Sequence, residues 1–297
     1  MILQKKLVRV GLFALFGFSL FGLCACSSMG DKPNQTLHGH FLTSERISEI
    51  VASPDRSEAD RINDVRRKPE RTLSFIGIRS GMVAADLSAG GGYTTELLAR
   101  AVSPNGVVYG QSAPSSEGNN AATSNVVPEG NPNPINPSSQ KTTITKTPRI
   151  SSPQALSERA KNPILTNIIP VVRKFEDPFP PEVASNSLDL VTIMFNYHDL
   201  GHKNVDREQM NRAVFAALKP GGVYVIADHA GRVGTGISES GTLHRIEESF
   251  LRKEVEAAGF RFVAEGDFLR NPYDPRDKNT PEPPQPKDEF LLKFEKN

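Results

Sequence analysis

The chain has 297 residues, enough for one large domain or two small ones, and its 35 basic and 34 acidic side chains leave a net charge of +1. That balance excludes nucleic-acid binding driven by bulk charge. Both cysteines, Cys24 and Cys26, lie near the N-terminus, so the rest of the chain has neither a disulfide nor a thiolate metal site and folds on its apolar core alone.

The first residues have the parts of an export signal. A basic start (Lys5, Lys6, Arg9) precedes an apolar run from Val10 to Leu23 and then small residues. As a helix at 1.5 Å per residue that run spans about 21 Å, short of a hydrocarbon core of about 30 Å. Its end, "LCAC", resembles the lipobox of bacterial lipoproteins, with Cys24 as a departure where a small non-thiol residue is usual. The resemblance implies removal of residues 1–25 and acylation of Cys26 on sulfur and amino terminus, which gives stable membrane anchoring. Ser27, in place of an aspartate, implies the outer membrane, with the protein facing the periplasm. A plain signal peptide cut elsewhere is the alternative. Residues 26–43 read as a polar tether, and 44–297 as a single domain.

Helical periodicity begins at Ser44, with Ile47, Ile50 and Val51 on one face. Two more helices are predicted before Gly77, with Pro69 in a first turn and Gly77 as a C-terminal cap. "GMVAADLS" (81–88) is a strand, followed by a glycine run, the helix "YTTELLARAV", a turn, and the strand "VVYGQ" (107–111). That order opens a parallel α/β unit. Residues 112–152, rich in Asn, Pro, Ser, Thr and Gly, cannot bury enough apolar surface to offset their ordering entropy and are predicted to be a disordered insertion. The alternation then resumes. Strands are predicted over 167–175 (interrupted by Pro170), 187–197 and 223–228. A helix from Asp206 ends at Pro220 and Gly221, and a long helix runs from Gly241 to a cap at Gly259. "RFVAEGDF" and "EFLLKFEK" supply two final strands.

In a doubly wound sheet, ligands gather at the carboxyl ends of strands. Asp86 and Ser88 fall at such an end, as do Gln111, the Tyr197–His198–Asp199 run and Asp228–His229. Gly90, Gly91 and Gly92 leave the backbone bare where a helix starts, a place whose N–H groups favour an anionic or carboxylate-bearing group. "VAADLSAGGGYTTELLA", "SLDLVTIMFNYHDL" and "ALKPGGVYVIAD" together resemble motifs of the class I S-adenosylmethionine-dependent methyltransferases, and "EVEAAGFRFVAE" through "FLLKF" resembles that family's antiparallel end. The resemblance runs from about Ser44 to Lys296, apart from the insertion. It implies a doubly wound, mostly parallel seven-stranded Rossmann-like sheet with helices on both faces, and S-adenosylmethionine as cofactor.

Carried over residue by residue, Asp86 orients the loop and the cofactor's amino group, and Gly90 and Gly92 admit its methionine part, with Gly91 between them. Glu176 or Asp177 approaches the adenine. Two positions depart from the family. Ser88 stands where its first glycine is usual, and Gln111 stands where an acid binds the ribose hydroxyls. Gln111 lacks the charge, a difference of about 1 kcal/mol. NAD is disfavoured, because its loop wants a third glycine and a distant acid that this chain lacks.

His198 and Asp199 are the candidate catalytic pair, a neutral imidazole there being able to take a proton from the methyl acceptor. A histidine that merely holds the loop is the bland alternative. His198 and His202 are four apart, but Gly201 intervenes and no third ligand is evident, so no metal site is expected. His229 reads as a strand cap, His244 and Arg245 as a solvated helix face, and Arg66, Arg67 and Lys68 as surface charge. Two functions compete: a lipid-anchored methyltransferase with an unidentified acceptor, and a catalytically silent envelope binding protein on the same fold.

Overall fold

The computed structural model describes residues 40–114, 151–281 and 285–297. The export signal, Cys26, nearly all of the tether and nearly all of the 112–152 insertion lie outside the described residues. Ser112 and Ser152, at the two edges of that insertion, belong to a strand and a helix respectively.

Three short helices open the domain. Helix α1 (Ser44–Val51) starts on Thr43, whose hydroxyl accepts the Arg46 N–H, and α2 (Glu58–Arg67) starts on Ser57 in the same way. Helix α3 (Pro69–Ile76) has proline in its first turn and stops at Gly77, whose φ of +73° a side chain would resist. The alternating part then runs β1 (Val83–Leu87), α4 (Tyr93–Val102), β2 (Val107–Ser112), α5 (Ser152–Arg159), β3 (Ile168–Val172) and β4 (Leu188–Met194). It continues with α6 (Asp199–His202), α7 (Arg207–Ala217), β5 (Leu218–His229), α8 (Glu248–Ala257), β6 (Arg261–Gly266) and β7 (Glu289–Glu295).

The strands form one sheet in the order β3-β2-β1-β4-β5-β7-β6. The first five strands are parallel, while β7 runs antiparallel to both β5 and β6, so the sheet is mixed. Alternate residues leave opposite faces. Ala84, Leu190, Val225 and Leu291 pack towards α1, α3 and α4, through Ile47, Leu73 and Leu98. Ala85, Val191, Ile226 and Leu292 pack towards α7 and α8, through Met210, Val214, Leu251 and Val255. Every residue of β4 is buried, as a strand covered on both faces requires. Between β1 and β4 the order of strands reverses, and the carboxyl ends there part to leave a crevice.

Four local expectations change. Pro170 does not interrupt β3: the register continues through a Gly110–Pro170 pair, because β3 is an edge strand and its unpaired side needs no N–H. Helix α7 stops at Ala217, before Pro220, and β5 already pairs at Leu218 with Leu188 across an irregular register. The segment leaving β4 makes the short helical turn α6 where none was expected. Most consequential, the helix expected from Gly241 begins only at Glu248, and the residues before it form a loop in which Ile246 bridges to Ala230.

Candidate cofactor site

The glycine loop turns from β1 into α4 through three positive φ angles, +55° at Ser88, +56° at Gly90 and +85° at Gly92. Ser88 adopts the left-handed conformation despite its Cβ, at a cost of about 1–2 kcal/mol. Its N–H donates to Gln111 Oε1 at 3.0 Å, which pins it. At Gly92 the requirement is also steric, since a Cβ would stand 2.8 Å from Leu156 Cδ1 and 2.9 Å from Arg159 Cδ. Gly92 is the N-cap of α4 and gives no side-chain cap, which leaves the first-turn N–H groups to an incoming acceptor.

Asp86 lies beneath this loop. Its carboxylate is almost fully buried and accepts hydroxyl hydrogen bonds from Thr95 (2.7 Å) on α4 and Thr192 (2.8 Å) on β4. Burial raises its pKa to about 6, against the two hydroxyl groups, which favour the charged form. A cavity of about 430 Å³ opens above it, within the range of small-molecule sites. Its walls include Asp86, Ser88, Gly90, Gly91, Asp199 and His244.

Residues that carried no sequence signal close the cavity from outside. Arg159, at the end of α5, donates to the Gly91 carbonyl at 2.6 Å and to Asp60 of α2 at 2.6 Å, and pairs with Glu96 of α4. Its pKa is raised because these two carboxylates outweigh burial. Arg67 also lines the cavity; it is no surface charge, and its guanidinium carbon lies 4.7 Å from the Phe195 ring centroid and 5.0 Å from that of Tyr93. Arg66 pairs with buried Glu289. These contacts draw α2 over the mouth of the crevice.

Two expected cofactor contacts are differently placed. Gln111 is 1% exposed and its amide is committed to the protein, Oε1 accepting from Ser88 and Nε2 donating to the Arg173 carbonyl at 2.6 Å. It braces the glycine loop. Asp177 pairs with Arg173 at the surface, and Glu176 accepts the Asp206 N–H at 3.2 Å. Neither acid is among the cavity walls.

At the opposite end of the cavity four histidines gather. His198 follows β4 and is 1% exposed. Its Nδ1 lies 2.6 Å from Asp228 Oδ1 at the end of β5, and its backbone N–H donates to Asp228 Oδ2 at 2.7 Å. Its Nε2 lies 3.0 Å from Asp199 Oδ1. Burial opposes the imidazolium, but the flanking Asp228 and Asp199 carboxylates outweigh it and raise the His198 pKa to about 10. His198, expected as a neutral base, lies between two carboxylates and is not among the residues that line the cavity. Asp199 does reach the wall. Burial opposes its charge, yet His198 and Lys203 together hold it well below the usual carboxylate range.

The loop before α8 delivers His244, at φ +50°, with Nδ1 3.2 Å from Asp199 Oδ1. His202 sits 5.8 Å from it, ring centroid to centroid, and His229 sits 5.4 Å from His198. His229 does more than end a strand, since its Nδ1 faces Glu289 at 3.1 Å. The neighbouring Arg245, expected on a solvated face, is wholly buried. The only sequence signal for this loop is the spacing of Gly231, Gly234, Gly236 and Gly241, which marks irregular chain.

The sheet order, the antiparallel β7 and the glycine turn after β1 define a Rossmann-like methyltransferase fold. A S-adenosylmethionine-dependent methyltransferase from Aquifex aeolicus has the same fold, with a TM-score of 0.50 at 16% identity over 82% of this chain and 100% of that one. A TehB-like S-adenosylmethionine-dependent methyltransferase from Corynebacterium glutamicum aligns over 86% of this chain and 98% of its own, at 13% identity and a TM-score of 0.43. Aeropyrum pernix fibrillarin, solved with bound S-adenosylmethionine, aligns over 72% and 66% at 15% identity and a TM-score of 0.41. No protein-family model matches the sequence, and no curated protein matches it at a significant level.

Proposed function

We propose that the protein is a S-adenosylmethionine-dependent methyltransferase acting on a small, unidentified acceptor. One observation carries this reading: a buried carboxylate, Asp86, lies under a glycine loop at an uncapped helix start, in the wall of a cavity large enough for a nucleoside. The residues fit the cofactor's methionine end. Asp86 offers a charge to an ammonium, and the α4 N-terminus offers N–H groups to a carboxylate. When bound, the cofactor supplies an electrophilic methyl group on a sulfonium. The protein's part in such a transfer is chiefly alignment in a dry, closed site, which requires no general base. Asp199 and His244 then form the wall nearest the acceptor.

A silent binding protein is the second reading, favoured by Gln111. With no acid at the end of β2 and the amide already committed, the ribose loses its usual charged partner among the described residues. Calorimetric titration of the mature chain with S-adenosylmethionine and S-adenosylhomocysteine separates the two. Heat of binding at submillimolar ligand is the expected result for the enzyme. Absence of heat at about 1 mM ligand, with the chain folded by circular dichroism, rejects it.

We further propose export and anchoring through Cys26, on the strength of the leader and the lipobox-like "LCAC". Cys26→Ser is expected to abolish incorporation of radiolabelled palmitate and to release the protein from the membrane fraction. Undiminished label in the variant would place the modification elsewhere.

A further inference from the structure

The acceptor end of the cavity holds more than a proton relay needs. His198, Asp199 and His244 each present one donor atom, and these atoms lie within 4.8 Å of one another. We propose that His198 Nε2, Asp199 Oδ1 and a ring nitrogen of His244 form a binding site for a divalent first-row transition-metal ion. The site needs no methyl donor and stands whether or not the cavity takes one.

The separations are those of ligands around an ion. His198 Nε2 and Asp199 Oδ1 are 3.0 Å apart, and His244 Nδ1 and Asp199 Oδ1 are 3.2 Å apart. Donors at about 2.0–2.2 Å from a tetrahedral ion stand roughly 3.3–3.6 Å from one another, so both pairs lie within a few tenths of an ångström of that spacing. The hydrogen bonds agree. Asp228 is fully buried, accepts the backbone N–H groups of His198 and His229, and lies 2.6 Å from His198 Nδ1, which commits that ring nitrogen to it. Nε2 is buried, faces Asp199 Oδ1 at 3.0 Å and has no hydrogen-bond partner, and an ion bound there would displace its proton. A cation between the two would satisfy both.

The surrounding residues behave as outer supports of a metal ligand set. Asp228 fixes the tautomer and the ring plane of His198, the role carboxylates commonly play behind metal-bound histidines. Lys203 holds Asp199 Oδ2 at 2.9 Å and leaves Oδ1 to face the histidines. His202 is excluded from the set. Ser240 gives its hydroxyl proton to the His198 carbonyl, so His202 Nδ1 donates to Ser240 Oγ at 3.0 Å, and it stands 3.9 Å from Asp199 Oδ1. Two imidazoles and one carboxylate suit zinc, cobalt, manganese or iron(II) better than magnesium or calcium. Because Asp199 and His244 line the cavity, the positions not taken by protein open into it.

The test uses the mature chain, free of tags and stripped with chelator, titrated with Co²⁺ alone. Binding of one equivalent is followed by visible absorption and by calorimetry. Saturation below about 100 µM is expected, with at least a tenfold loss of affinity in Asp199→Asn and in His244→Ala. His40→Ala and His202→Ala are expected to bind as the parent does. His244→Gln serves should the alanine variant melt earlier than the parent. Absence of one-equivalent binding below about 1 mM in folded parent chain overturns the proposal, and so does unchanged affinity in the Asp199 and His244 variants.

Discussion

Arg245→Met is expected to lower the unfolding free energy by about 3–5 kcal/mol, the range for removing one partner of a buried ion pair. The guanidinium is wholly buried and ties two irregular segments together. It pairs with Asp274 Oδ2 at 2.8 Å, donates to the Ala230 carbonyl at 3.0 Å, and reaches the Lys278 carbonyl from both Nε and a terminal nitrogen. Asp274 is itself buried and accepts the Arg276 and Asp288 N–H groups, so the substitution strands a carboxylate that burial already penalises. Methionine keeps the stem but satisfies none of these acceptors. Arg245→Met/Asp274→Leu, which removes both charges, is expected to recover most of the loss in a urea titration. A single-variant loss under about 1 kcal/mol would show that water or neighbouring donors replace the guanidinium. Because Arg245 follows His244, the same contacts set where His244 meets Asp199.

Asp86→Asn has the opposite sign at neutral pH. The folded chain raises the Asp86 pKa from 3.8 to about 6, so between these values the native state binds the proton more tightly than the unfolded chain does. Stability contributed by this group is therefore present in full below about pH 4 and is lost as pH rises through about 6. A tighter hold on the proton by about a hundredfold corresponds to about 3 kcal/mol. The difference in unfolding free energy between parent and variant should move by about that amount towards the variant between pH 3 and pH 8. A pH-independent difference would mean that folding leaves the Asp86 pKa unshifted. Binding should run the other way. An ammonium beside Asp86 requires the ionised carboxylate, so parent affinity for S-adenosylmethionine should fall about tenfold per pH unit below about 6. In Asp86→Asn it should be weak at every pH. The carboxylate thus carries a stability cost that a cationic ligand would offset further, a common pattern at binding sites.

Much of the frame was legible from the residues themselves. Apolar runs such as "LDLVTIM", with no polar face, announce strands covered on both sides, and β4 is buried at every position. Local chemistry also placed the first helix from Ser44, the first turn at Pro69 and the stop at Gly77. Asp86 and Gly90–Gly92 were legible for the same reason. A strand end, a positive-φ turn and a helix start are all encoded within a few neighbouring residues. Ser88 was identifiable as the departure, and the structure supplies its support in the Gln111 amide.

What the residues did not disclose were the partners. Gln111 at the end of β2 has the same identity whether it faces a ribose or braces a loop. Its burial against Arg173 and Ser88 decided that. Arg67 read as surface charge and Arg159 carried no signal, and only the packing of α2 and α5 over the glycine loop gives them their places. His244 read as a helix residue, since its neighbours Leu243 and Ile246 carry helical spacing, yet Ile246 bridges to Ala230 and Arg245 is held by Asp274. Periodicity reports what a segment can do in isolation. The strands of the sheet, the glycine turn and the acid beneath it are all written in local order along the chain. Which charges meet is not, because His198 and His244 lie far apart in sequence and only β4, β5 and the loop before α8 bring them together.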